Sequence, residues 1–275
     1  MGEMGFIMKR IQLFEFHDLD WFPGSWRNFL TEIMAFFEAT FHPYQPLIPK
    51  LVEAAEKLKV RTIIDLCSGA GTTALSIQSY LEKMGNDSIK IILTDKYPNL
   101  GSFQQIARSS NRISYLETPI DATEVPDRLS GFRTMFTSFH HFPPEAAKEI
   151  LQDAVRKNEG IGIFEYTERS LVWLISLLVF PLALWVFIPF IRPFRWQRIL
   201  WTIMLLPGIA GVWDGLVSCL RTYSPAELKK LTDAIQAEHY HWEIGRVHSF
   251  GGCYITYLLG YPEANAGGQK LLNTK

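Results

Sequence analysis

The chain has 275 residues, with 27 basic and 28 acidic side chains and a formal charge of -1. That length supports one large α/β domain with an insertion, or two small domains. The balanced charge excludes the strong positive field of a general nucleic-acid binder, so no nucleic-acid partner is expected. Cys67, Cys219 and Cys253 lack CxxC spacing. Neither a disulfide framework nor a metal site is therefore expected, and a reducing cytoplasm fits. The N-terminal stretch lacks the long apolar run and small-residue cleavage site of a secretory signal, so no targeting peptide is expected.

Residues 1–58 hold aromatic clusters, WFPGSW and FHPYQP, around a segment with Leu30, Ile33, Met34 and Phe37 at helical spacing. Three prolines then break the pattern. From Val60 short apolar runs alternate with amphipathic stretches, the βαβ rhythm of a parallel sheet covered on both faces. Strands are expected at 60–66, 89–95, 113–118, 133–139 and 160–166, and helices at 72–84, 99–108 and 144–157. Beyond an apolar region, Ser224, Pro225 and Glu227 make a capping box that opens a helix over 224–238. Two closing strands follow, near 241–249 and 253–261, and the short Gly251-Gly252 turn between them requires antiparallel neighbours. Residues 263–275 read as a disordered tail. The expected segments are a lid (1–58), a core (59–169), an insertion (170–213), the remainder of the core (214–262) and the tail.

The sequence DLCSGAG places a glycine-rich loop and the start of a helix at the sheet's C-terminal edge, where such folds bind ligands. Gly69 and Gly71 permit positive φ and close backbone approach. Asp95 ends the next strand, placed to accept from a ribose diol, and Asp121 follows the third strand on the same edge.

These residues resemble the class I S-adenosylmethionine-dependent methyltransferases, of a bacterial small-molecule or lipid-type subgroup, over about Val60 to Tyr261. The resemblance implies a seven-stranded Rossmann-like sheet with an antiparallel last strand, a helical lid and an apolar helical hairpin after strand 5. Of these the hairpin is read from this chain's own apolar runs and not from the family; the resemblance further implies S-adenosyl-L-methionine as cofactor and S-adenosyl-L-homocysteine as product. It lays the loop (Asp65, Cys67, Ser68, Gly69, Gly71, Thr72) under the methionine part, with Asp65 reaching the amino group through the loop. Asp95 and its neighbour Lys96 fall at the ribose, and Asp121 and Ala122 at the adenine. Ser138 is assigned to the same cofactor. Cys67 stands where the family most often has its first glycine. A nicotinamide-dependent oxidoreductase is the alternative, since Gly69, Gly71 and Ala74 also satisfy G-x-G-x-x-G/A. It leaves Asp65 and Asp121 without a role. A non-catalytic, membrane-bound Rossmann-like module is the third reading.

From Leu171 to Ile191 run 21 residues without a charge, and from Ile199 to Trp213 another 15, joined by RPFRWQR. The first run has spanning length but contains Pro181 and Pro189, and the second is short. A two-pass hairpin would carry Arg192, Arg195 and Arg198 across the bilayer, against the positive-inside bias. An in-plane or re-entrant hairpin keeps them at anionic headgroups and seats Trp173, Trp185, Trp196, Trp201 and Trp213 at the interface. Residues 171–213 are therefore expected to attach the protein, peripheral or monotopic, to the inner membrane face. A soluble lid or a homodimer contact is the alternative. Because the insertion leaves the end of strand 5, an apolar small molecule or lipid is the expected acceptor.

Ser138, His140 and His141 follow the fourth strand, where the family places residues facing the transferring methyl group. A histidine there can accept a proton near neutral pH, so His140 and His141 are the catalytic candidates. Trp21 of the lid, Glu165 at the end of strand 5, and Asp214, Arg221 and Tyr223 after the insertion are the candidates for holding the acceptor.

Overall fold

The computed structural model describes residues 8–191, 194–203 and 206–263. Seven strands form one sheet in the order β3-β2-β1-β4-β5-β7-β6. They are β1 (Thr62–Asp65), β2 (Lys90–Leu93), β3 (Ile113–Tyr115), β4 (Phe132–Phe136), β5 (Ile161–Glu165), β6 (Tyr240–His248) and β7 (Tyr254–Pro262). The first five are parallel, whereas β7 runs antiparallel to both β5 and β6. The order reverses at β1 and β4. Both strands end beside one crevice, the usual ligand position in open α/β sheets.

Helices α1 (Gly24–Phe41), α2 (Ile48–Lys57), α3 (Thr72–Lys83), α4 (Leu100–Ser109), α5 (Pro144–Arg156) and α9 (Pro225–Asp233) match the expected rhythm with one addition. That addition is α2. Pro49 read as a breaker, yet it occupies the first turn of α2, where its missing N–H costs no hydrogen bond. Tyr44, Leu47, Leu51, Val52 and Ala55 are buried with α3 and the sheet in the main core. Residues 43–58 are thus core and not lid. The second core cluster packs α5 and α9 on the opposite face of the sheet. Ser224 caps α9 through the expected box, its side chain accepting from Glu227 N while Glu227 accepts from Ser224 N at 2.7 Å.

β4 ends three residues early because Thr137 turns with φ +42°, so Phe139–His141 leave the sheet as a 3-10 turn. A β-branched residue at positive φ is strained. Here Thr137 Oγ1 is held by the Tyr44 hydroxyl at 2.6 Å and accepts from Tyr166 N at 3.2 Å.

The insertion departs most from expectation. Among the described residues it holds three α-helices, α6 (Leu171–Phe187), α7 (Trp196–Ile203) and α8 (Leu206–Arg221). The boundary expected at residue 213 falls inside α8, because Asp214 is an interior helix position bonded to another segment and not a helix end. Gly215 lets α8 cross α6, since a Cβ there would stand 2.7 Å from Leu177 Cδ2. Phe29, Leu30 and Ile33 of α1 form a third cluster with Ile188, Ile191 and Ala210, so lid and insertion pack as one cap over the sheet edge.

Both described linker arginines pair with α1, Arg198 from a buried position and Arg195 from a half-exposed one. Arg198, 1% exposed, pairs with Glu32 of α1 at 2.6 Å, and Arg195 reaches the same carboxylate at 3.1 Å. Arg192 lies outside the described residues. Trp173 stacks on Tyr166, Trp201 packs on Phe29 and Trp213 donates to Phe14 O, leaving Trp185 and Trp196 well exposed among the five. Among the described residues no single helix is long and apolar enough to cross a membrane. Of the expected tail, 263–275, residues 264–275 also lie outside the described residues.

Because α2 is core, Leu51→Ala is expected to cost about 2–5 kcal/mol, measured by denaturant unfolding. A residue of a detachable lid would cost far less.

Candidate functional site

The loop after β1 is shaped by backbone geometry before any ligand contact. Cys67, Gly69 and Gly71 all have positive φ, at 56°, 58° and 77°. A Cβ on Gly71 would meet Leu93 Cδ1 at 2.6 Å, so only glycine fits where the loop rides over β2. Cys67 pays strain at a left-handed position that suits glycine. Burial also pushes its thiol well up, which keeps it un-ionised.

Asp65 is 3% exposed and braces this turn. Its Oδ1 accepts from the Thr134 hydroxyl at 2.9 Å, and its main-chain oxygen accepts from Thr94 N and the Ser68 hydroxyl. Burial pushes its carboxyl up to about 7. Asp95 accepts from Gly69 N and Tyr97 N, one on each oxygen, both at 2.8 Å. Each oxygen keeps a lone pair for a ligand. Burial raises the Asp95 carboxyl, and the two N–H donors oppose the rise. Asp121 is the reverse case. Burial works to raise it, yet the Thr123 N–H and hydroxyl and the Lys96 ammonium, 3.4 Å away, hold it below the usual carboxylate range.

A cleft of about 580 Å³ runs along this edge, within the size range of small-molecule sites. Cys67, Ser68, Gly69, Asp95, Lys96, Asp121, Ala122, Ser138, His140 and His141 all line it. Asp65, Gly71 and Thr72 do not, and act by shaping the loop. The far wall is Met34 of α1 with Trp173 and Leu177 of α6.

Of the residues expected to hold an acceptor, Asp214 alone is on the cleft wall. Its carboxylate is occupied, accepting from Phe16 N at 2.7 Å, His17 N at 3.2 Å and the His17 ring at 2.9 Å. Glu165, 1% exposed, holds His140 Nδ1 at 2.8 Å. Arg221 neither binds at the cleft nor pairs with Asp214. Its Nη1 reaches Asp18 at 2.7 Å and Glu15 at 3.3 Å, and its Nε donates to Leu13 O. Tyr223 donates to Phe142 O beneath the Arg10 guanidinium. Trp21 is 69% exposed and packs edge-on to Phe16 and Phe22.

The groups missed by sequence reasoning belong to a strap, residues 8–22, that crosses the cleft. Glu15, 2% exposed, faces His140 and His141, while Asp18 binds His141 Nδ1 at 2.7 Å. Burial opposes a charge on His141, but the Glu15 and Asp18 carboxylates win and hold its imidazolium up to about 9. Glu38 of α1 is the other addition. It lines the cleft, accepts from Thr73 Oγ1 at 3.2 Å, and burial pushes it up to about 7. Without neighbouring motif residues, neither group carried a signal in the sequence.

No protein-family model and no curated protein matches the chain. Solved structures do resemble it. They include an O-methyltransferase family protein from Burkholderia thailandensis (14% identity, 81% of this chain and 57% of that one, TM-score 0.47). The plantazolicin methyltransferase, solved with S-adenosylhomocysteine, matches at 12% identity over 90% of this chain and 88% of its own (TM-score 0.47). A protein described as a Zn-dependent alcohol dehydrogenase from Rhodobacter sphaeroides matches at 12% over 81% of this chain and 99% of its own (TM-score 0.44). The chain thus spans little more than half of the Burkholderia protein. Likenesses this distant carry no functional argument.

The strap hangs on Asp214 and Arg221. Asp214→Ala, which strips three acceptor contacts from residues 16–17, is expected to speed amide hydrogen exchange across residues 13–19 at least tenfold while the sheet stays protected. Exchange is read by mass spectrometry.

Proposed function

We propose that the chain is an S-adenosylmethionine-dependent methyltransferase acting on an apolar small-molecule or lipid-like acceptor at the cytoplasmic face of a membrane. One observation carries the reading. A single cleft joins the glycine loop and Asp95 at one end to the apolar wall of the insertion at the other, with buried polar atoms between them. Ser138 Oγ and His140 Nε2 are both buried without a hydrogen-bond partner. Buried polar atoms are rarely left unsatisfied, so such orphans point to an absent ligand.

The residues present fit the cofactor. Asp95 keeps lone pairs for a ribose diol, Asp121 and Ala122 border the space beyond β3, and Cys67 to Ala70 offer a backbone cradle next to Glu38. When bound, the sulfonium supplies an activated methyl group. The chain's own part is to hold the acceptor in line and to receive its proton, and orientation contributes much of the rate in such reactions. Glu165 fixes the ring of His140, and His140, His141 and Glu15 together form the polar floor against which the acceptor's reactive atom would lie. The nicotinamide reading gives Glu38 and Asp121 no work.

The membrane reading rests on the outer faces of α6 and α7. Val172, Ile175, Val179, Trp196, Leu200 and Ile203 are all more than a third exposed there, and exposed large apolar side chains, where they gather, mark membrane or partner contacts. α6 also forms the apolar cleft wall, so one helix adjoins both the acceptor space and this face. With Arg195 and Arg198 committed to Glu32, attachment is expected to depend on apolar burial more than on anionic lipid.

Two outcomes follow. Calorimetry should show S-adenosylhomocysteine binding that NADH does not displace, weakened at least tenfold by Asp95→Ala because the ribose loses a charged acceptor. The affinity should also rise between pH 6 and 8. Glu38 is neutral below its value of about 7, and the cofactor's ammonium favours the ionised form, so binding releases a proton; Glu38→Gln should flatten this dependence. NADH binding without a response to S-adenosylhomocysteine would sink the assignment. Second, the protein should float with both zwitterionic and anionic liposomes, and Val172→Glu with Ile175→Glu should abolish flotation. A wild-type protein that ignores liposomes would favour the soluble lid.

A further inference from the structure

Three side chains from distant parts of the chain meet at the floor of the cleft. Glu15 comes from the strap, and His140 and His141 come from the turn after β4. One potential ligand atom from each lies within 4.8 Å of the others. Glu15 Oε1 stands 3.7 Å from His140 Nε2, and Glu15 Oε2 stands 3.6 Å from His141 Nδ1. These separations are slightly wider than a bound ion would draw them, as expected of ligands that close on arrival.

A second, independent observation is the state of His140. Its side chain is 1% exposed, and its Nδ1 is held by Glu165 Oε2 at 2.8 Å. With the hydrogen on Nδ1 donated to that carboxylate, Nε2 presents a bare lone pair. That lone pair has no hydrogen-bond partner and faces a carboxylate oxygen. In that neutral ring Nε2 and Glu15 Oε1 are two buried acceptors turned towards each other at 3.7 Å, a pair that either a proton on Nε2 or a metal cation between them satisfies. A carboxylate behind one ring nitrogen, with the other free, is also the arrangement that orients metal-binding histidines.

We propose that Glu15, His140 and His141 bind one first-row divalent transition-metal ion of the zinc class. Imidazole donors select this class over magnesium or calcium, and two histidines with one carboxylate leave a coordination position free. All three side chains line the cleft, so that position opens towards the acceptor space. Glu165 on His140 Nδ1 orients that ring, while His141 Nδ1, bonded to Asp18 at 2.7 Å in the metal-free chain, exchanges that hydrogen bond and its proton for the ion. Arg221, 3.3 Å from Glu15 Oε1, fixes the carboxylate and tempers the negative charge of the cluster. The inference rests on the acceptor-site reading of the cleft for its purpose but not for its chemistry. With the ion in place the His140 lone pair belongs to the metal, and the cluster would hold an acceptor oxygen by coordination.

No spacing in the sequence announces this set, because Glu15 arrives only by tertiary packing of the strap. The test uses the full chain, stripped with a chelator and titrated with Co²⁺, whose visible absorption reports low-coordinate N/O ligation, and with Zn²⁺ by calorimetry. One ion per chain is expected. Glu15→Gln and His141→Gln should each weaken it at least tenfold, and Glu165→Gln should weaken it by about 10-fold to 100-fold through the orientation of His140. S-adenosylhomocysteine binding by each variant, measured alongside, shows that the fold is retained. Absence of stoichiometric uptake by the wild-type chain overturns the proposal, as does uptake that none of the three substitutions weakens. If the wild-type chain binds S-adenosylhomocysteine but no metal, this inference fails and the methyltransferase reading stands. If it binds metal but no nucleoside, the reverse holds.

Discussion

Arg221 organises the cleft. It is 4% exposed at the end of α8 and carries Glu15, Asp18 and the Leu13 carbonyl of the strap. A buried guanidinium without partners would be prohibitive, and a buried Glu15 equally so, hence each requires the other. Their pairing fixes the strap across the edge of the sheet and brings Glu15 against His140 and His141. The same contacts tie the end of the insertion to the strap. Removing Arg221 would leave Glu15 buried against an ionised Asp18, so cleft, strap and insertion depend on one side chain.

The parallel sheet demands such a cap. Strands β1, β2, β4 and β5 end at one edge, where loop backbone and helix starts would otherwise meet water. The cap is built from α1, the strap and α6–α8, whose apolar side chains make the third core cluster. Within it Arg198 turns inward towards Glu32, and Arg221 towards Glu15. The outcome is a cleft polar along the sheet edge and apolar along the cap, with the titratable groups concentrated between the two.

Much of the core was legible in the sequence because each signal was local. The alternation of apolar runs set the five parallel strands to within a few residues, the Ser224–Glu227 box started α9, and the Gly-rich turn required antiparallel closing strands. The loop residues facing the cleft could be placed for the same reason. What escaped depends on partners far apart in the chain. Pro49 looked like a break because burial of α2 against α3 and the sheet is tertiary information. The apolar run 199–213 looked like one helix, although α7 ends at Ile203 and α8 continues to Arg221. Glu165 and Arg221 were recognised as polar groups near the site, but the strap that occupies Arg221 and the histidine that occupies Glu165 could not be read from spacing. Glu15, Asp18 and Glu38 had no pattern to mark them.

The most direct test of the account is a crystal structure of the full chain grown with S-adenosylhomocysteine. The account places the ribose hydroxyls on Asp95, the adenine beside Asp121 and Ala122, the amino group near Glu38, and the sulfur facing the floor formed by Glu15, His140 and His141. A nucleoside bound away from Asp95, or a cleft that stays empty at saturating S-adenosylhomocysteine while accepting a nicotinamide dinucleotide, would contradict it.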